Sequence, residues 1–262
     1  MDGADGSSMI YDPDIAIETD EDVYPPSEDS ILLIESLDVR PGERILEIGC
    51  GSGVVSIHCA KNDCVVTAGD INPKAVELAR RNAERNDAEM DVIETDVYSN
   101  IEGTFDTIVF NLPYLPVDEE GLLAKAWSGG PDGLGPLPEL LAGAGEHLGP
   151  DGRIVIVVSS LMDGHALEEA LAGWDYRIIG ELKLFFEKLS VLEIVTLIHQ
   201  HKIRTYPLDE RRIRIGRDYV QILLQCTVEP AVKPSDTEIA VDLTGIDEDV
   251  HITVRSRLAA GI

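Results

Sequence analysis

Asn111-Leu112-Pro113-Tyr114 follows directly on the apolar stretch Thr107-Ile108-Val109-Phe110, and these residue types can grip a planar amide or amino group. The Asn111 side-chain oxygen and the Leu112 backbone carbonyl can each accept one hydrogen of an incoming –NH2 group. Held so, the nitrogen presents its lone pair for in-line displacement at a carbon atom. Tyr114 offers a ring on which a planar group can stack, with Pro113 in the turn between. An amide nitrogen is nearly non-basic, so positioning and charge complementarity must supply most of the rate. Asn-x-Pro after a strand is also an ordinary turn, so the meaning of the tetrapeptide depends on what lies beside it.

Upstream, Glu47-Ile48-Gly49-Cys50-Gly51-Ser52-Gly53 also follows an apolar strand. Gly49, Gly51 and Gly53 lead into a helix, where glycine permits positive φ and close approach of a ligand to the backbone. A dinucleotide fingerprint places its third glycine one residue later and seats a pyrophosphate on the helix N-terminus. Glu47 is unwelcome beside a pyrophosphate but suits a cationic amino-acid moiety. Asp70 closes the next strand, placed to accept from both ribose hydroxyls of a nucleoside. Asp96 closes the third, where a carboxylate can accept from an adenine amino group. Ligands of open α/β sheets bind at the C-terminal ends of strands. Three such features on consecutive strands predict S-adenosylmethionine as cofactor and methyl transfer onto nitrogen as the chemistry.

The elements that must carry these residues alternate along the chain. The prolines of Val23-Tyr24-Pro25-Pro26-Ser27-Glu28-Asp29-Ser30 forbid a helix until Ser27, which caps one with an acidic pair at its positive end. Ile31, Leu32, Ile34 and Leu37 form the apolar side of that helix. Strands are expected at Arg44–Ile48, Cys64–Ala68, Asp91–Glu94, Thr107–Phe110 and Arg153–Val158, then at Tyr176–Leu182 and Ser190–Leu197. Helices are expected from Val54, from Pro73 to Asn86 with Asn72 as cap, around Leu137–Leu148 and over Gly164–Ala172. Strands alternating with helices imply a mainly parallel sheet covered on both faces. The last two strands are too close in sequence for a crossover helix and should pair antiparallel. The predicted fold is therefore α/β, a seven-stranded mostly parallel sheet with an antiparallel last strand, as in class I S-adenosylmethionine-dependent methyltransferases. After Ile198 the character changes. Lys202, Arg204, Arg211, Arg212, Arg214 and Arg217 crowd one stretch, followed by strand-like segments at Tyr219–Val228, Glu238–Leu243 and Val250–Val254. The expected division is a methyltransferase domain over 1–198 and a small β-rich C-terminal extension over 199–262.

Hydrophobic residues make up 44% of the 262, enough for a real core. The formal net charge is −28, of which residues 1–198 carry −27, with 12 Lys+Arg against 39 Asp+Glu. Such a surface repels phosphate backbones and reads as adaptation to high intracellular salt. The start shows no basic n-region or apolar h-region, and no run approaches the roughly 20 apolar residues of a membrane span. Cys50, Cys59, Cys64 and Cys226 lack Cys-x-x-Cys spacing, and read as reduced thiols of a cytoplasmic protein, without a metal site.

Four segments together resemble the HemK-like protein-glutamine methyltransferases: Val23–Ser30, the glycine turn, Asn111–Tyr114 and Ala126-Trp127-Ser128-Gly129-Gly130-Pro131-Asp132-Gly133. The resemblance is to the short archaeal and eukaryotic branch and covers about residues 10–197. That family methylates the Gly-Gly-Gln glutamine of class I peptide-chain release factors. The resemblance implies that Tyr24, Ser30, Glu47, Gly49, Gly51, Gly53, Asp70, Asp96 and Asn111 contact the cofactor, while Asn111 and Tyr114 hold the glutamine. The family tetrapeptide usually reads Asn-Pro-Pro-Tyr; Leu112 departs from it but keeps the carbonyl. Bacterial relatives carry an N-terminal helical docking domain, for which too few residues precede the glycine turn. The short branch instead implies a small zinc-binding activator subunit, besides the release factor itself. Two other acceptors fit the same tetrapeptide type: an adenine or guanine amino group in RNA or DNA, or a protein lysine. The acidic body argues against nucleic acid; the Lys202–Arg217 cluster is the one feature in its favour. A non-catalytic scaffold would have little reason to keep every cofactor position.

Overall fold

The computed structural model describes residues 9–184, 188–196, 211–215 and 218–222. The chain runs α1 (Glu28–Ser36), β1 (Arg44–Ile48), α2 (Val54–Lys61), β2 (Val65–Asp70), α3 (Pro73–Arg85), β3 (Met90–Glu94) and β4 (Phe105–Asn111). It continues through a 3-10 turn at Ala124–Ala126 into α4 (Leu137–His147), β5 (Leu148–Ser159), α5 (Gly164–Ala170), β6 (Trp174–Lys183) and β7 (Lys188–Thr196). The seven strands lie in the order β3-β2-β1-β4-β5-β7-β6. β1 to β5 pair in parallel, while β7 is antiparallel to both β5 and β6. β8 (Arg211–Ile215) and β9 (Asp218–Ile222) form a separate two-stranded antiparallel hairpin. This is the seven-stranded arrangement expected from the sequence. The remainder of the basic cluster, most of the strand-like segment 219–228, the segments 238–243 and 250–254 and Cys226 lie outside the described residues.

Both faces of the sheet are buried, which is what near-continuous apolar strands require. Leu46, Ile108, Ile154 and Ile156 point to one face, against Leu137, Leu140 and Leu141 of α4. Ile45, Val109, Val155 and Val157 point to the other, against Leu33, Ile34 and Leu37 of α1 and Val55 and Cys59 of α2. The buried stripe of α1 is Leu33, Ile34 and Leu37, whereas Ile31 and Leu32 are only half-buried. The stripe is shifted because Ser36 of α1 packs onto Gly180 of β6, where any Cβ would collide with its Oγ. β5 starts five residues before the expected Arg153, with Leu148 paired to Phe105 ahead of a register irregularity. Cys50, Cys59 and Cys64 are free and buried. Among the described residues no helix is long and apolar enough to cross a membrane.

The acidic lead-in is built into the fold as a strap across α2 and α3. Its backbone meets side-chain amides in place of a neighbouring strand. Asn82 Oδ1 accepts from Glu18 N (2.8 Å), and Asn82 Nδ2 donates to Glu18 O (3.1 Å) and Ser52 O (2.9 Å). Asn86 repeats the pattern with Ala16, and Asn72 Nδ2 donates to Asp22 O at 2.8 Å. His58, buried in α2, accepts from Asp12 N at 3.0 Å while Tyr11 stacks on its ring.

Asn82 is fully buried, so Asn82→Ala strands its partners as well as removing its bonds. We expect a loss of about 2–4 kcal/mol in urea unfolding, with faster proteolysis within residues 9–22. A loss below about 1 kcal/mol would show that the strap is held elsewhere.

Candidate functional site

The site begins with the pairing of β1 and β4. Their parallel register sets Ile48 beside Phe110, so the two strands end together and the turns that follow them start side by side. Gly49, at φ +66°, passes so close to Phe110 that a Cβ there would lie 2.7 Å from the ring. Gly51 adopts φ +54°. Gly53 has another task. It caps α2 at φ +81°, and its missing Cβ lets α2 approach Ala79 of α3. It is not part of the cavity wall, whereas its neighbours Ser52 and Val54 are.

The cavity beyond these strand ends measures about 330 Å³. Its wall includes Tyr24, Ser30, Glu47, Gly49, Gly51, Asp70, Asp96, Asn111 and Pro113. Strand alternation turns Glu47 to the same side as Ile45, beneath α2. There it accepts from Ser56 N at 2.9 Å and from the Ser56 hydroxyl. Burial pushes the Glu47 carboxyl up to about 8, against the opposing hydrogen bonds from Ser56. Asp70 Oδ2 accepts from Gly51 N and Oδ1 from Asn72 N, both at 2.8 Å. Burial raises its carboxyl as well. Beyond its backbone donors at Gly51, Asn72 and Ile71, the Asp70 carboxylate keeps acceptor capacity for a hydroxyl donor. Asp96 lies two residues past β3, in a turn where the Ser99 hydroxyl accepts from Asp96 N (2.9 Å) and Val97 takes φ +47°. A β-branched residue in that region is strained, and such strain collects at binding sites.

These carboxylates contrast with those at the opposite end of the sheet. There Arg153 donates to Glu193 Oε1 (3.0 Å) and to Thr107 Oγ1 (2.9 Å), and Arg177 also pairs with Glu193. Burial works to raise Glu193, but the two arginines outweigh it and hold the carboxyl below its usual range. Among the described residues no cation is hydrogen-bonded to Glu47 or Asp70, although Lys125 lies in the same cavity wall. A buried carboxylate without a cation is costly unless a ligand brings one. The donor set fits S-adenosylmethionine, with Glu47 for an ammonium group, Asp70 for a ribose and two glycines for close approach.

Asn111 ends β4 at the cavity wall, and its Oδ1 is buried without a hydrogen-bond partner among the described residues. Leu112 is fully buried in the core, so its side chain anchors the turn. Tyr114 departs from expectation. Its ring is packed into the core and its hydroxyl donates to Asp29 Oδ2 at 3.3 Å, so it is not part of the cavity wall. The strand end fixes the direction of Asn111, but Tyr114 lies three residues on, where the chain has turned into the protein.

Three further segments support this site, in ways that the sequence did not specify. Gly129, Gly133 and Gly135 back the tetrapeptide: their absent Cβ atoms would fall 2.5 Å from Pro113 O, 2.8 Å from Tyr114 O and 3.0 Å from Pro113 O. The spacing of those glycines was the available signal. The strap ends in Val23–Pro26, which forms one side of the cavity, and Leu122, Leu123, Lys125, Ala126 and Ser128 form another. The two sides meet where Tyr24 and Trp127 tilt against each other, with ring centroids 6.3 Å apart.

Residues 27–176 match the family model of the methyltransferase small domain. A "putative protein N5-glutamine methyltransferase" of Methanocaldococcus jannaschii is 38% identical over 185 residues, spanning 68% of this chain and 94% of that protein. The methyltransferase HEMK2 of Mus musculus is 33% identical over 152 residues, 52% of this chain and 71% of the relative. The fold is shared with the E. cuniculi Mtq2–Trm112 complex responsible for methylation of the eRF1 translation termination factor. The TM-score there is 0.54 at 22% identity, over 67% of this chain and 99% of the other.

With Glu47 as the partner of the cofactor's ammonium, cofactor binding and stability should respond to pH in opposite senses. Its folded pKa of about 8 stands well above the ordinary glutamate range, so the folded protein holds a proton there that the unfolded chain releases. Stability should therefore fall as pH rises through that window, and Glu47→Gln should raise the Tm at pH 8. A bound ammonium favours the ionised carboxylate, so cofactor affinity should climb from pH 6.5 towards 8.5, by up to about tenfold per unit. Calorimetry on the wild type and Glu47→Gln checks both: equal slopes in the two proteins would remove Glu47 from the binding site.

Proposed function

The chain belongs to the methyltransferase small-domain family and to its HemK-like branch, and we propose that it methylates the side-chain amide nitrogen of a protein glutamine. The proposed substrate is the Gly-Gly-Gln glutamine of a peptide-chain release factor. S-adenosylmethionine is the methyl donor of this family, supplying a methyl carbon on a cationic sulfur. One observation carries the reading: the buried, unpartnered Oδ1 of Asn111 at the wall of a cavity lined by carboxylates. Leaving such an acceptor unsatisfied costs about 1–3 kcal/mol. An incoming primary amide supplies the missing N–H.

In the proposed mechanism Asn111 Oδ1 and the Leu112 carbonyl accept the two amide hydrogens and turn the nitrogen towards the cofactor side of the cavity. The two oxygens also face the positive charge that develops on nitrogen; the methyl carbon would exchange its bond to sulfur for one to nitrogen, and one of the two amide hydrogens would leave as a proton to solvent. Glu47, Asp70 and Asp96 hold the cofactor by its ammonium, ribose and adenine groups, with Ser30, Tyr24, Gly49 and Gly51 shaping the wall. Positioning of this kind needs no strong base. A small zinc-binding activator subunit and a cytoplasmic location complete the proposal, as does an appended unit over 199–262, of which the β8–β9 hairpin is described.

The test is methylation by the full chain, with and without an activator subunit. Purified release factor, total RNA and DNA are offered in parallel, and the modified group is identified by mass spectrometry. Label in nucleic acid, or on a residue other than glutamine, would refute the proposal. With release factor as acceptor, Asn111→Ala should lower kcat by about 10²-fold or more while the cofactor Kd changes little, because misplaced reacting atoms cost that much. Asp70→Ala should act the other way, weakening cofactor binding about ten- to a hundred-fold through loss of a charge-assisted hydrogen bond.

A further inference from the structure

Asp29 is a buried carboxylate with no part in the chemistry described so far. It lies in the first turn of α1, where the helix dipole favours a negative charge. Its Oδ1 accepts from Ser30 N at 2.6 Å and from the Ser30 hydroxyl at 3.2 Å. Its Oδ2 accepts from the Tyr114 hydroxyl at 3.3 Å, across 85 positions of sequence. Ser30 is part of the cavity wall, and Tyr114 ends the tetrapeptide that begins with Asn111. One carboxylate therefore joins the cofactor side of the cavity to the turn that grips the acceptor.

Tyr114 is pinned at two points. The glycine loop lies against its carbonyl, since a Cβ on Gly133 would stand 2.8 Å from that oxygen. The hydroxyl at the far end of the side chain reaches Asp29. Between them, the direction in which the chain leaves β4 is set, and with it the aim of Asn111 and the Leu112 carbonyl. Burying a carboxylate for packing alone would be a poor choice, since an apolar side chain of the same size costs less. A carboxylate is warranted where two donors on separate elements must be held at a fixed spacing. Ser30 is one of those donors, and Asn111 opens the tetrapeptide that ends in the other.

We infer that Asp29 is a positioning residue, which sets the angle of the acceptor-gripping turn through Tyr114 and its distance from the cofactor wall through Ser30. This rests on the reading of Asn111 as the acceptor grip. Asp29 touches neither reacting group, so its removal should loosen the turn and slow transfer while leaving cofactor binding largely intact.

The experiment is a double-mutant cycle of Asp29→Ala and Tyr114→Phe in the full chain. Hydrogen exchange is followed at two amides of the turn's support: Leu115, which donates to Trp127 O, and Gly129, which donates to Leu115 O. Each single variant should speed exchange at these amides by about tenfold and lower kcat for the acceptor by a similar factor, the worth of one hydrogen bond. The cofactor Kd should stay within about threefold, and the double variant should be no worse than either single one. Unchanged exchange in Asp29→Ala, or effects that multiply in the double variant, would overturn the inference. So would a rise in cofactor Kd as large as the fall in kcat. If the wild type methylates no glutamine, the acceptor assignment fails, and the exchange measurement still decides whether Asp29 holds the turn.

Discussion

The parallel pairing of β1 with β4 is the constraint on which the site depends. With Ile48 beside Phe110, the glycine turn and the tetrapeptide leave adjacent strands at the same level. Only a backbone without a side chain fits between Gly49 and the Phe110 ring. A shift of the register by one residue would turn Asn111 to the opposite face and bring Glu47 out from under α2, because strand side chains alternate. The buried core on both faces resists that shift. The apolar contacts that stabilise the sheet thus also fix the spacing between the glycine turn and the tetrapeptide.

A second layer of design lies in how the buried carboxylates are compensated. At one end of the sheet Glu193 is neutralised by Arg153 and Arg177. At the other, among the described residues, Glu47 and Asp70 have hydroxyl and backbone donors. The first arrangement is complete without a ligand; the second is the one to which the proposed function assigns a ligand that carries positive charge.

Much of this was legible in the sequence because it is local to strand ends. Gly49, Asp70 and Asn111 each terminate or directly follow an apolar strand, and a parallel sheet brings its strand ends together whatever the details of packing. Tyr114 could not be placed that way: its direction depends on Asp29, far off in the chain, and on glycines that lie after it. The packing role of Gly53 was not legible, because a glycine that admits a ligand and one that admits a helix look alike until the neighbour, Ala79, is known. The strap was invisible for a similar reason. An acidic, proline-ended lead-in has no periodicity of its own, and the asparagines that hold it sit in helices where they look like solvated polar residues.

That strap raises a question of ionic environment. A surface as acidic as this one suits brine, where opposite charges attract only feebly. The exposed ion pairs of the strap, Lys74 with Asp22 and Arg85 with Glu18, are of the kind that dissolved salt neutralises. The attachments made by Asn72, Asn82 and His58 are dipolar and partly buried, that of Asn86 dipolar and exposed, and mobile ions have less purchase on dipoles than on charges. The mouth of the cavity is thus fastened by neutral latches on a highly charged molecule. A habitat whose salinity swings could alter how such a protein meets its neighbours while leaving the fit around its cofactor as it was.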